Sequence, residues 1–85
     1  MPLEFNLEYF RAFYYVARLN SISKAADALF LSQPAITRNI QKLENHYKCK
    51  LFLRTAKGMK LTGEGEVLYS YVAKAMDELI AGKKS

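Results

Sequence analysis

One cysteine and one histidine in 85 residues leave little material for site chemistry. Cys49 has no second thiol with which to close an internal disulfide. Together with His46 it falls short of the four ligands that a structural zinc ion takes. The same scarcity excludes a nucleophile, base and orienting group assembled from these side chains. Glycine is sparse too, and neither Gly58 nor the Gly63–Gly65 pair precedes the Lys-Ser/Thr helix start of a phosphate-binding loop. No run approaches the roughly 18 apolar residues that would mark a membrane span. Glu4, Glu8 and Arg11 interrupt the N-terminal apolar residues that a signal peptide would need unbroken. The expectation is therefore no metal, no cofactor and no membrane, with an enzyme the remotest function class and a reducing cytoplasm as the setting.

What the chain does have is a folded composition and a basic centre. Hydrophobic residues make up 51% and charged residues 25%, which suits one small domain with one modest core. The net charge is +5, and its placement says more than its total. Between residues 24 and 60 stand eight Lys or Arg against Asp27 and Glu44, so this stretch carries +6 and the remainder −1. Such a concentration is the electrostatic footprint of a polyanion partner, or else a solvated basic face.

Helical periodicity organises most of the chain. Asn6 suits the cap of a first helix running to about Leu19, with Leu7, Phe10, Phe13, Tyr14 and Ala17 at core spacing. That spacing favours packing over a stacking platform for Tyr9, Phe13, Tyr14 and Tyr15. Asn20 tolerates the left-handed conformation that ends a helix. Ser23 is expected to cap a second helix through Phe30, with Ala25, Ala26 and Leu29 inward. After a Leu31-Ser32 turn, Ser32 caps a third helix, and Pro34 falls in its first turn, where a missing N–H is harmless. Ile36, Ile40, Leu43 and Tyr47 share one stripe of that helix. Pro34, Thr37, Arg38 and Gln41 share the opposite side.

Beyond Tyr47 the pattern changes to two short strand-like runs, Leu51–Arg54 and Met59–Thr62. A Gly-containing segment with Lys57 at its tip joins them, which reads as a β-hairpin. Thr62 then caps a fourth helix to about Ala81, with Glu64 and Glu66 at its positive end. Three helices, a basic hairpin and a long helix predict a mainly α fold. It is a winged helix-turn-helix over residues 1–62, with a linker or dimerisation helix over 63–85.

Several segments are specific in combination: Phe10 through Val16, Ser21-Ile22-Ser23-Lys24-Ala25-Ala26, and Leu31-Ser32-Gln33-Pro34-Ala35-Ile36-Thr37-Arg38. Leu43-Glu44, Leu51-Phe52 with Arg54, and Leu61-Thr62 with Gly65 complete the set. Together they resemble the N-terminal DNA-binding domain of a LysR-type transcriptional regulator over roughly residues 6–80. Two positions depart from the family's usual glycine: Lys48 after the recognition helix and Asn20 after the first. If Lys48 keeps the left-handed geometry, it stores about 1 kcal/mol of strain.

The resemblance implies double-stranded DNA as partner, with a recognition helix at about 33–47 in the major groove and a wing at 54–60 at the minor groove. It places Gln33, Pro34, Thr37 and Arg38 against bases. Gln pairs both edges of adenine, Arg does the same for guanine, and proline offers apolar contact to a thymine methyl. Ser23, Lys24, Ser32, Lys42, Arg54 and Lys60 are candidates for the phosphate backbone. Lys57 is the candidate for the minor groove.

The fourth helix of the family pairs with its twin, so Val72, Ala75, Met76, Leu79 and Ile80 are the expected dimer interface. The operator should then be partly palindromic, and the longer regulator a dimer or a tetramer. The setting so implied is the bacterial cytoplasm and nucleoid, and the chain is expected to be a fragment of a longer regulator. The rival reading is a winged-helix module whose basic face meets an acidic protein without reading DNA sequence.

Overall fold

A computed structural model describes residues 7–81, in the order α1 (Leu7–Leu19), α2 (Ile22–Leu29), α3 (Gln33–Tyr47), β1 (Phe52–Thr55), β2 (Gly58–Leu61) and α4 (Gly63–Ala81). The expected Asn6 cap lies outside the described residues. Phe13, Val16, Ile36, Leu43 and Leu51 are the largest fully buried side chains, drawn from α1, α3 and the approach to the wing. Burying each favours folding by about 1.5–3 kcal/mol over leaving it in water. Ala25 and Ala26 are also buried, and their small side chains let α2 approach its neighbours closely. Leu7, expected inward, is 57% exposed.

The second helix starts and stops earlier than its sequence suggests. Ser21, not Ser23, is its cap: the Ser21 hydroxyl accepts the Lys24 N–H at 3.0 Å. Both serines are good caps by type, and the choice falls to Ser21 because helix from Ile22 onward packs Ile22 against the core. Ser23 is thereby an exposed first-turn residue. At the other end Phe30 is left-handed (φ 58°, ψ 43°), with its N–H on Asp27 O and the Leu31 N–H on Ala26 O. This paired closure satisfies the last carbonyls of the helix.

Ser32 caps α3 as expected, accepting the Ala35 N–H at 3.2 Å, with Pro34 in the first turn. Ile36, Ile40 and Leu43 are buried, whereas Tyr47 at the end of the stripe is 41% exposed. Lys48 does take the left-handed conformation (φ 61°, ψ 39°) and closes the helix through its N–H to Glu44 O. A lysine pays for that geometry where glycine would not. Lys48→Gly is therefore expected to raise unfolding stability by up to about 1 kcal/mol, less what the freer unfolded chain takes back. Urea denaturation measures it, and a loss of stability would contradict the strain.

One carboxylate ties the third helix to the wing. Glu44, with 13% of its side chain exposed, accepts the Leu51 N–H at 2.8 Å and stands 3.8 Å from the Lys50 ammonium. The strands then pair antiparallel, Phe52 with Leu61 and Thr55 with Gly58, around a two-residue turn. Phe52 carries the hairpin into the core, its ring 5.4 Å from that of Phe13.

Thr62 starts α4, accepting the Gly65 N–H at 2.9 Å and donating its hydroxyl proton to Lys50 O at 2.7 Å. Gly65 lies so close to the chain before β1 that an added Cβ would stand 2.2 Å from Leu51 O. Further along, the Tyr69 ring stacks on Tyr14 at 5.9 Å, and the Arg18 guanidinium lies 5.4 Å from the centre of the Tyr14 ring. A hydrogen bond with Tyr69, then the charge interaction with Tyr14, raises the pKa of Arg18.

Candidate nucleic-acid interface

The polar side of α3 follows from where its apolar stripe goes. With Ile36, Ile40 and Leu43 buried against the domain, Pro34, Arg38, Gln41, Lys42 and Asn45 are left exposed. At 100° per residue Pro34, Arg38, Gln41 and Asn45 lie within about 60° of one another, directly opposite the buried stripe. Gln33 and Thr37 fall on the flank that turns toward the wing, Gln33 exposed and Thr37 half-buried.

Between that flank and the wing runs a cleft of about 580 Å³. Ser23 and Lys24 of α2, Gln33 and Thr37 of α3, and Arg54, Lys57 and Met59 of the wing line it. Its charged residues are Lys24, Arg54 and Lys57, without a carboxylate. Concave walls with charge of one sign focus the field that draws an anion in. The wing tip is held by Thr55, whose hydroxyl donates to Gly58 O at 2.7 Å and accepts the Lys57 N–H at 3.2 Å. The Lys57 backbone is thus fixed while its side chain stays free to reach.

Of the residues expected at a DNA surface, Ser23, Lys24, Gln33, Thr37, Arg54 and Lys57 therefore meet around one cleft. Ser32, Pro34, Arg38 and Lys42 are exposed on the turn and outer face of α3. Lys60 is not with them. It pairs with Leu53, one step out of phase with Arg54 and Met59. Successive strand side chains point to opposite faces, so Lys60 stands on the far side of the wing from the cleft.

Two residues not among the expected contacts belong here. Gln41 shares the exposed face of Arg38, where helical spacing already put it. Asn20 lines the cleft beside Ser21, and its position there depends on a contact with the wing that spacing does not signal.

A second surface shares no residue with the cleft. Two adjoining apolar grooves, of about 540 and 310 Å³, meet at Tyr47, Leu68 and Tyr71 along α4. Val67, Tyr71 and Leu79 are exposed by 61%, 71% and 64%. Val72 and Met76, expected to wait for a partner, are instead buried in this chain's own core. The helix carries two apolar stripes: Gly65, Tyr69, Val72 and Met76 turn inward, while Val67, Tyr71, Ala75 and Leu79 turn outward. The Ile80 side chain lies outside the described residues.

Three helices with a hairpin wing define a winged helix-turn-helix domain, the class to which this cleft and exposed helix face also belong. Residues 7–66 match the model of the bacterial regulatory helix-turn-helix proteins of the lysR family. The chain belongs to that family and is its helix-turn-helix DNA-binding domain.

Among its relatives, the transcriptional regulator GalR of Pseudomonas putida is 43% identical over 74 residues, 87% of this chain and 19% of that protein. GltR of Bacillus subtilis is 42% identical over 71 residues, 84% of this chain and 24% of that protein. The chain thus spans about a quarter or less of the length of these curated relatives. Among solved structures, the BenM DNA-binding domain bound to catB site 1 DNA superposes with a TM-score of 0.82 at 34% identity, covering 89% of this chain and 85% of that one. The CbnR DNA-binding domain in complex with DNA gives 0.78 at 30% identity, covering 91% and 86%. Among the described residues no helix is long and apolar enough to cross a membrane.

Proposed function

We propose that this domain recognises a specific double-stranded DNA sequence for a transcription regulator, acting in the bacterial cytoplasm on the nucleoid. In this reading α3 enters the major groove. Gln33 reads adenine, Arg38 reads guanine, and Pro34 with Thr37 contributes apolar and hydroxyl contacts to neighbouring bases. Ser23, Lys24, Ser32, Lys42 and Arg54 hold the phosphate backbone on either side, and Lys57 enters the adjoining minor groove. Lys60, on the far face of the wing, adds to the field without touching this stretch of DNA. The observation that carries the reading is the cleft in which Lys24, Arg54 and Lys57 flank the exposed start of α3.

A salt series tests it. Log affinity for a DNA fragment should fall linearly with log salt at about −0.9 per phosphate neutralised, or roughly −3 to −4 for Lys24, Lys42, Arg54 and Lys57 together. A protein-contact module that has no affinity for DNA would leave no such line to measure.

The outer stripe of α4 supports a homodimer, formed by that helix against its counterpart in a second copy. Each copy then presents one recognition helix to one half of a partly palindromic operator. Val67, Tyr71, Ala75 and Leu79 are the contact residues in this proposal, and Val72 and Met76 support them from beneath. Leu79→Glu places a charge in that interface and is expected to give a monomer with weakened operator binding. Sedimentation velocity reads the change, and an unaltered profile would count against the pairing.

A further inference from the structure

The turn between α1 and α2 touches the wing through Asn20. This residue is left-handed, with φ 57°. Its carbonyl oxygen accepts the Met59 N–H at 3.1 Å, and its side-chain Nδ2 donates to Met59 O at 3.2 Å. Met59 faces Arg54 across the hairpin. Since its N–H and C=O both bond to Asn20, they point away from β1, on the open edge of β2. A two-stranded hairpin is marginal by itself, and the backbone groups on its open edge have no strand partner. Asn20 satisfies both groups of Met59 from outside the hairpin, much as one residue of a third strand would.

The approach is close as well as bonded. A Cβ on Gly58, the neighbour of Met59, would stand 2.4 Å from Asn20 O, and Gly58 itself has φ 115°. Glycine on the wing side and a left-handed residue on the helix side thus bring the two backbones together. Lys57 lies next to this contact and Arg54 across the ladder from it, while Ser21 and Ser23 adjoin it on the other wall of the cleft. Swinging the wing would break the contact before it moved either cation far.

We propose that Asn20 is a positioning residue that sets the wing against the helix-turn-helix, so that Lys57 meets DNA at a fixed displacement from Gln33. This inference rests on the DNA-binding reading above. The side-chain amide is the decisive part. Glycine at position 20 would keep the left-handed turn and the bond from Met59 N–H, but would leave Met59 O without its donor. The wing would then hang from this turn by one bond in place of two. Direct readout by α3 would be intact, while the reach of Lys57 would become imprecise.

Asn20→Gly tests this in two measurements. In the free protein, backbone amide relaxation should show order parameters falling at residues 56–59, from the rigid value near 0.85 toward the flexible range, with α1 to α3 unchanged. On a duplex recovered from a random pool with the wild-type chain, affinity should drop about two- to tenfold, the range for one net hydrogen bond. That loss should vanish when Asn20→Gly is made in a Lys57→Ala background, because the wing tip then has no cation left to place. Equal losses in both backgrounds would mean that Asn20 acts through general stability or by touching DNA itself, and would overturn the proposal. So would order parameters that do not change. If the wild-type chain bound no duplex, the DNA-binding reading would fall, and the relaxation measurement would still decide whether Asn20 holds the wing.

Discussion

Replacing Arg38 with alanine is expected to cost about 1–3 kcal/mol of discrimination at a single base pair, leaving preferences elsewhere in the site in place. Arg38 is exposed at the centre of the polar side of α3, opposite Ile36, Ile40 and Leu43. Among the described residues Arg38 forms no ion pair, so its removal should leave the fold intact. The measurement is binding to a panel of duplexes that differ one base pair at a time. Loss confined to one position, most marked where guanine is preferred, identifies base contact. A uniform loss on every duplex, together with a salt slope smaller by about one, would reassign Arg38 to a phosphate. Gln41, three residues on and on the same face, is the natural comparison. A weaker effect at a neighbouring base pair would show how far along the helix the readout extends.

The largest expected effect on stability lies at Gly65. Alanine normally favours a helix over glycine by up to about 1 kcal/mol. Here the added Cβ would stand 2.2 Å from Leu51 O and 3.0 Å from the Leu61 side chain. Leu51 O already accepts the Thr62 N–H at 3.0 Å, and Thr62 caps the same helix. The backbone on both sides is therefore committed, and α4 must shift outward to make room. Overpacking of this kind costs about 1–3 kcal/mol, which in a domain of this size lowers the thermal midpoint by roughly 5–20 °C. Gly63→Ala is the control, since nothing lies within 4 Å of its added Cβ. That change should be neutral or slightly stabilising. Equal behaviour of the two variants in a thermal melt would contradict the close approach at Gly65.

Features carried by a single element were legible in the sequence. The Ser32 cap, the proline in the first turn of α3 and the buried stripe of that helix follow from local rules, and the hairpin with Lys57 at its tip does too. Choices that depend on packing were not. Ser21 and Ser23 are equally good caps by type, and the burial of Ile22 decides between them. Of the residues expected at the dimer interface, Ala75 and Leu79 do turn outward, whereas Val72 and Met76 are drawn with Tyr69 into the core. Lys60 lies on the far face of the wing because Phe52 must point inward, and alternation from Phe52 puts Arg54, not Leu53, on the cleft side. The bond from Asn20 to Met59 crosses 39 residues, beyond the reach of any local pattern.

Sequence-specific recognition of duplex DNA is the central claim, and a direct comparison of two affinities tests it. A duplex selected by this chain from a random pool is titrated beside a shuffled duplex of the same length and composition, both at physiological salt. The predicted result is that the selected duplex binds tighter by about a thousandfold or more, the usual margin between specific and non-specific sites. Equal affinity for the two would contradict it, and would reduce the basic cleft to a surface that attracts DNA without reading it.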